Sequence, residues 1–205
     1  MLIANSIITI CWFVFILYWG FSAIGVKKDV RKSGWRGSWL PGLLARIVVL
    51  IGVIGLIDWL VAPNSDPRGV LFGMYASSLL APLFSGNLVV DTIGVILTIG
   101  GIAFAIWARR HLGRNWSGRP MMKENHELVT SGPYRFVRHP IYTGMIAAIL
   151  GSALVGGPIW LIFWIAAFII FLLRIPKEEG YMMQLFPDQY PAYRARTKAL
   201  IPFVW

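Results

Sequence analysis

Cysteine is nearly missing from this chain: its 205 residues hold one, Cys11, set inside an apolar run. A single thiol excludes a disulfide framework and a cysteine-based metal centre within the chain. Cys11 itself reads as a packed or lipid-facing group. Charge is scarce as well. Charged residues make up 14% of the sequence, against about 25% in ordinary soluble domains, which argues against a soluble domain. Acids are scarcer than bases, and the net charge is +10. The three histidines, His111, His126 and His139, are scattered and lack His-Glu-x-x-His spacing, so no metal site is expected. No Gly-x-Gly-x-x-Gly loop follows a strand, which removes the usual dinucleotide fold. No basic residue precedes the first apolar run, whereas basic residues follow it. From that pattern an uncleaved anchor with its N-terminus outside is expected, rather than a secretory leader. Internal repeats and low-complexity stretches are also missing.

What is present is length of apolar sequence. Hydrophobic residues reach 57%, with ten Trp, and the mean hydropathy is +0.67. A bilayer core needs roughly 20 mostly apolar residues in helix. Spans are expected near 2–25, 39–62 and 88–108. Two shorter runs, 141–156 and 158–174, are joined by Gly156-Gly157-Pro158 and read as a helical hairpin. Seventeen of the nineteen basic residues fall in three places, 27–36, 109–140 and the stretch from 174 onward. The positive-inside rule puts all three in the cytoplasm. The charge therefore reports topology and an anionic leaflet, not nucleic acid. Parity then requires 69–86, which carries Gly69, Gly73, Pro82 and Gly86, to be non-spanning or re-entrant. The fold class expected is an all-α integral membrane protein of about five transmembrane helices. Residues 1–108 form the N-terminal membrane part. Residues 109–205 form a core of cytoplasmic loop, hairpin 141–174 and C-terminal helix, with a cytoplasmic pocket.

Two polar regions flank the hairpin and meet on one membrane face. The first opens "RRHLGRNWSG", which reads as a snorkelling basic collar with Trp116 at the interface. It continues "ELVTSGPYRFVRHPIYTG". Gly132-Pro133 marks a turn. Pro140 biases His139 away from helix and suits a first helical position, so His139 stands at the helix mouth, where free N–H groups favour an anion. Tyr142 lies just inside. The lesser alternative is that Arg135, Arg138 and His139 bind lipid phosphates. The second region is "RIPKEEGYMMQLFPDQYPAYRARTKALIP". Positions 179, 182, 183 and 186 share one helical face, which sets Glu179 above Met182, Met183 and Phe186. A carboxylate there wants a cationic partner, either Arg174 or Lys177 on its own helix or a ligand's ammonium.

The ordered set Gly-Pro-Tyr, Arg-His-Pro-x-Tyr-x-Gly, Glu-Glu and Phe-x-x-x-Tyr-x-x-Tyr ending in Ile-Pro resembles the isoprenylcysteine carboxyl methyltransferase family, within a wider group of membrane phospholipid methyltransferases. The likeness covers roughly 107–205. It implies S-adenosylmethionine held in a cytoplasmic pocket without a Rossmann domain. It implies that His139 contacts this cofactor, that Leu128, Val129, Gly132, Tyr134 and Tyr142 line the pocket, and that one of Glu178 and Glu179, with a preference for Glu179, binds the methionyl ammonium. Arg196 matches an arginine facing the acceptor, and Arg138 the arginine of the motif. One departure stands out: Phe186-Pro187 replaces the usual Phe-Gly, which bears on where Tyr190 and Tyr193 sit.

The resemblance implies a methyltransferase acting on a lipophilic acceptor, either an isoprenylcysteine-type carboxylate, a phospholipid amine or a small thiol. The expected setting is the cell inner membrane with the catalytic face cytoplasmic. The alternatives are an NADPH-dependent membrane sterol or lipid reductase, which shares an Arg-His segment and an acidic pair, and a non-enzymatic lipid-binding protein. Pro140-Ile141 after the histidine and the Glu-Glu pair favour the methyltransferase over the reductase.

Overall fold

The computed structural model describes residues 2–22, 29–31, 87–113, 122–123 and 127–204. The expected span 39–62 and segment 69–86 lie outside the described residues, as do His126, Trp116 and most of the 27–36 loop. Among the described residues there are five α-helices: α1 (Leu2–Ser22), α2 (Leu88–Leu112), α3 (Pro140–Gly156), α4 (Pro158–Leu185) and α5 (Tyr190–Arg196). A short antiparallel ribbon pairs Asp29–Arg31 with Met122–Lys123, and a 3-10 turn, Gly132–Arg135, precedes α3. Helices α1, α2 and α4 are long and apolar enough to cross a membrane, and α3 is a shorter apolar helix. The chain is a multi-pass integral membrane protein, as its composition indicates.

Local chemistry sets the helix ends. The Asn87 side chain accepts from the N–H groups of Val89 and Val90 at 3.1 and 3.2 Å and starts α2. Gly113, at φ 54°, ends it. Pro140 occupies the first position of α3. Gly157, at φ 94°, makes the hairpin turn, and Pro158 opens α4. The second limb does not stop at Arg174, where the apolar run ends. It continues through Pro176 to Leu185. One internal proline removes a single backbone hydrogen bond, and the good helix formers after it, together with ion pairs to other elements, carry the helix on.

The core is the α2–α3 contact. A Cβ on Gly101 would lie 2.5 Å from the Gly144 carbonyl oxygen, and one on Gly144 would lie 2.5 Å from that of Gly101. The two backbones touch, as small residues permit between helices in lipid. Thr98 is buried in the same seam and donates to the Gly94 carbonyl at 2.9 Å. Helix α1 attaches through Trp12, whose Nε1 donates to Ser152 Oγ at 2.9 Å and whose ring stacks on Trp160. On α4, Ile162, Ile165, Ile169 and Leu173 are exposed and form a lipid-facing stripe.

Arg109 does not form the snorkelling collar expected of it. It is buried, donating Nη1 to the Gly113 carbonyl at 2.8 Å and Nη2 to that of Ser22. The C-termini of α1 and α2 meet there, and helix-end carbonyls draw a cation inward.

Candidate active site at the hairpin mouth

The antiparallel hairpin returns the polar half of α4 to the start of α3, and the two polar regions converge there. The first is shaped by Gly132, whose φ is +58°. Its bare Cα also makes room for the His111 ring, which a Cβ would meet at 2.6 Å. His111, at the end of α2, pairs with Ser131 Oγ at 2.9 Å and lies 6.5 Å from the Tyr134 ring. Tyr193 of α5 donates its hydroxyl to the Tyr134 carbonyl at 2.6 Å. Burial raises the Tyr134, Tyr190 and Tyr193 phenols above their ordinary range, so all three are neutral at physiological pH.

The segment ahead of α3 is held by the chain's last described stretch. Val137 pairs with Lys198 in a parallel bridge. The N–H groups of Arg138 and His139 donate to the Lys198 and Ala199 carbonyls at 2.8 and 3.0 Å. Thr143 Oγ1 donates to the Leu200 carbonyl at 2.7 Å. His139 is the residue just before the helix, as the His-Pro dipeptide implies.

Two carboxylates lie on either side of the His139 ring. Glu178 Oε2 is 3.6 Å from Nδ1, and Glu179 Oε1 is 3.4 Å from Nε2. Glu178 Oε1 accepts from Tyr142 Oη at 2.6 Å and from Arg174 Nε and Nη2 at 3.1 and 2.9 Å. His139 stacks on Tyr142 at 5.5 Å, and Tyr142 on Phe171 at 4.2 Å. This row of rings forms one wall of the site.

Glu179 is the more deeply set of the pair, with 5% of its side chain exposed. Arg138 grips Oε1 through Nε and Nη2, both at 2.7 Å, and Arg194 holds Oε2 at 3.0 Å. Burial alone would raise this carboxyl, but hydrogen bonds from His139 and Arg138 outweigh it and hold the group below its ordinary value. Arg138 also donates Nη1 to the Arg194 carbonyl at 3.2 Å and to that of Thr197. It thereby caps the end of α5 while fixing Glu179.

Of the residues singled out in the sequence, His139, Tyr142, Glu178, Glu179 and Arg138 come together here. Gly132 and Tyr134 form the adjoining turn, and Leu128 and Val129 are partly buried in the segment leading to it. Arg196 stands apart from the ion cluster. It is exposed, with its guanidinium 5.9 Å from the Tyr193 ring centroid. The partner expected for Glu179 is corrected. Arg174 pairs with Glu178, four residues along, while Glu179 turns to Arg138 and Arg194 on other elements. Sequence reasoning missed Arg194 and His111. For His111, the adjacent helix-ending Gly113 was a usable signal. Arg194 offered none, because its partner lies on another helix. Next to this cluster a cleft of about 320 Å³ is lined by Arg138, Glu179, Arg194 and Lys198 together with Ile175, Pro176 and Val204.

Comparison with known proteins bears on this arrangement. The sequence model of the isoprenylcysteine carboxyl methyltransferase family matches residues 94–184. A protein-S-isoprenylcysteine O-methyltransferase B of Arabidopsis thaliana is 39% identical over 40% of this chain and 43% of its own length. A protein-S-isoprenylcysteine O-methyltransferase of Schizosaccharomyces pombe is 35% identical over 45% and 41%. Methanethiol S-methyltransferase 1 of Bradyrhizobium diazoefficiens is 37% identical over 34% and 24%. The chain thus spans less than half the length of each of these relatives. None of the three is a reductase, so the reductase alternative gains no support.

Proposed function

We propose, from the premise that residues 94–184 belong to the isoprenylcysteine carboxyl methyltransferase family, that this protein is a membrane methyltransferase using S-adenosylmethionine to methylate a lipophilic acceptor. The observation that carries the reading is the Glu178–His139–Glu179 cluster, backed by the Tyr142–Phe171 stack, at the mouth of the hairpin. The donor set suits that cofactor. A carboxylate, Glu179, answers its ammonium, and aromatic faces answer its positive sulfonium. When bound, the cofactor supplies an electrophilic methyl group, so the protein's task is alignment.

The chain's own residues divide that task. Glu179 would take the ammonium by exchanging it for Arg194, whose side chain is 52% exposed and free to swing away. Glu178 stays on Tyr142 and Arg174 and fixes the ring wall. His139 sits between the two carboxylates and joins them. Leu128, Val129, Gly132 and Tyr134 would line the remainder of the pocket. Arg138 orients Glu179, and Arg196, open on α5, would face the acceptor. The acceptor classes that fit are an isoprenylcysteine-type carboxylate, a phospholipid amine and a small thiol. The three basic segments support a cytoplasmic setting for this face by the positive-inside rule, and the reading sets the protein in the cell inner membrane.

Titration calorimetry of the detergent-purified chain with S-adenosylhomocysteine tests the proposal. Binding is expected, and it should be lost in His139→Ala and Glu179→Ala. A wild-type protein that gives no binding heat overturns it.

A further inference from the structure

The cleft beside Glu179 is a second feature, distinct from the ring-walled side of the cluster. It brings together Arg138, Arg194 and Lys198 against one carboxylate, Glu179. Its charge is therefore net positive by two. Arg138 is fully engaged, but Arg194 and Lys198 are exposed. Lys198 has no ion-pair partner among the described residues. The lining also includes the apolar Ile175 and Val204. The chain beyond it presents Ile201, Phe203 and Val204 to the outside, Phe203 at 94% exposure and φ 66°. Cationic and apolar side chains lining one cleft, on the helix that also carries the lipid-facing stripe, match an anion carried on a hydrocarbon chain. They do not match a small soluble anion, which would have no use for the apolar lining.

We propose that this cleft is a headgroup site for an amphiphile: Arg194 and Lys198 bind a phosphate or carboxylate, and Ile175 and Val204 receive the first carbons of its chain. The inference deepens the reading above by assigning the oxyanion of the lipophilic acceptor to Arg194 and Lys198, in addition to Arg196. It rests on that reading only for the identity of the amphiphile as acceptor. Arg194 serves both halves of the site. When it leaves Glu179, its fork is released toward the cleft, where a bidentate grip on an oxyanion is available.

The test uses the full chain in dodecyl maltoside, titrated with dodecyl phosphate, dodecanoate and inorganic phosphate. The two amphiphiles should bind, and affinity should fall by about tenfold or more in Lys198→Gln and in Arg194→Gln, as for loss of a charge-assisted hydrogen bond. Lys177→Gln, an exposed cation on α4 outside the cleft, should bind like wild type. Lys198→Gln guards against misfolding, since it breaks no ion pair among the described residues. Three results overturn the proposal: equal binding by wild type and both cleft variants, an equal loss in Lys177→Gln, or inorganic phosphate competing as well as dodecyl phosphate. S-adenosylhomocysteine binding is measured on the same samples. Its absence with amphiphile binding intact sinks the methyl-transfer reading and leaves the cleft assignment standing.

Discussion

Glu179 concentrates the electrostatics of the site in one side chain. It is buried, and three groups from two other segments converge on it. Substituting Glu179→Gln leaves Arg138, with 10% of its side chain exposed, facing an uncharged partner. Removing one member of a buried pair strands the other. The variant should lose about 3 kcal/mol of stability, read as a lower thermal midpoint in detergent. The pH dependence has a definite sign. A carboxyl held below its ordinary value of 4.5 stabilises the fold at neutral pH. That contribution disappears as the pH falls through the folded-state value. The gap in thermal midpoint between wild type and Glu179→Gln should therefore be constant near neutrality and close in acid. A gap independent of pH would show that the carboxylate's charge is not what holds the cluster. Little of this was legible in the sequence. The helical i, i+4 rule finds Arg174 with Glu178, because both lie on one helix. It is blind to Arg138 and Arg194, which reach Glu179 only once the hairpin and α5 have folded. The His139–Pro140 dipeptide was legible for the opposite reason, since its constraint is entirely local.

Elements carry the site through two kinds of close contact. In the α2–α3 seam, a Cβ at position 144 would meet the Gly101 carbonyl at 2.5 Å. Gly144→Ala should separate the helices and cost about 1–3 kcal/mol, measured as a fall in thermal midpoint. At the turn, Gly132→Ala meets two separate penalties, a positive φ and the His111 ring. The double variant His111→Ala/Gly132→Ala should recover the steric part and retain the backbone part, about 1 kcal/mol. Full recovery would mean that the left-handed conformation costs nothing here. The hairpin and its Gly-Gly-Pro turn were readable from apolar run length and the turn dipeptides. The continuation of α4 past Arg174 was not, because Pro176 and a drop in hydropathy both signal an end. The helix persists because Glu179 in its polar half is buried and paired with Arg138 and Arg194 on other elements, an effect with no local trace. Phe186-Pro187 similarly left Tyr190 and Tyr193 open. Both are buried at 3% exposure, with Tyr193 bonded to the Tyr134 carbonyl. The proline therefore leaves α5 docked.

At the scale of the whole molecule, the two proposed ligand sites share one residue, and that sharing has a thermodynamic consequence. Arg194 either neutralises Glu179 Oε2 or extends into the cleft, and it cannot do both fully. A cofactor ammonium on Glu179 releases Arg194, which then strengthens the grip on an oxyanion. Linkage makes the effect reciprocal: each ligand must tighten the other by the same factor. Couplings between sites commonly amount to roughly 5-fold or more, and a shared ion pair at 3.0 Å is a direct route for one. Dodecyl phosphate should thus bind the detergent-purified chain more tightly when S-adenosylhomocysteine is saturating. Arg194→Gln should erase that enhancement while both ligands still bind, the phosphate through Lys198 and the cofactor analogue through a Glu179 with one competitor fewer. The analogue alone should even bind this variant more tightly than wild type, because it no longer has to displace a guanidinium. Equal analogue affinity in the two proteins, with the enhancement intact in the variant, would place the coupling elsewhere. It would reduce the Arg194–Glu179 pair to a surface ion pair of the kind that contributes little. The arrangement also gives the membrane a role in the chemistry. The exposed Ile201, Phe203 and Val204 follow directly on Lys198 and Ala199, whose carbonyls hold Arg138 and His139. Seating that apolar tail in the interface would steady the segment that holds Arg138 and His139, so the site is best ordered where a lipophilic acceptor is already present.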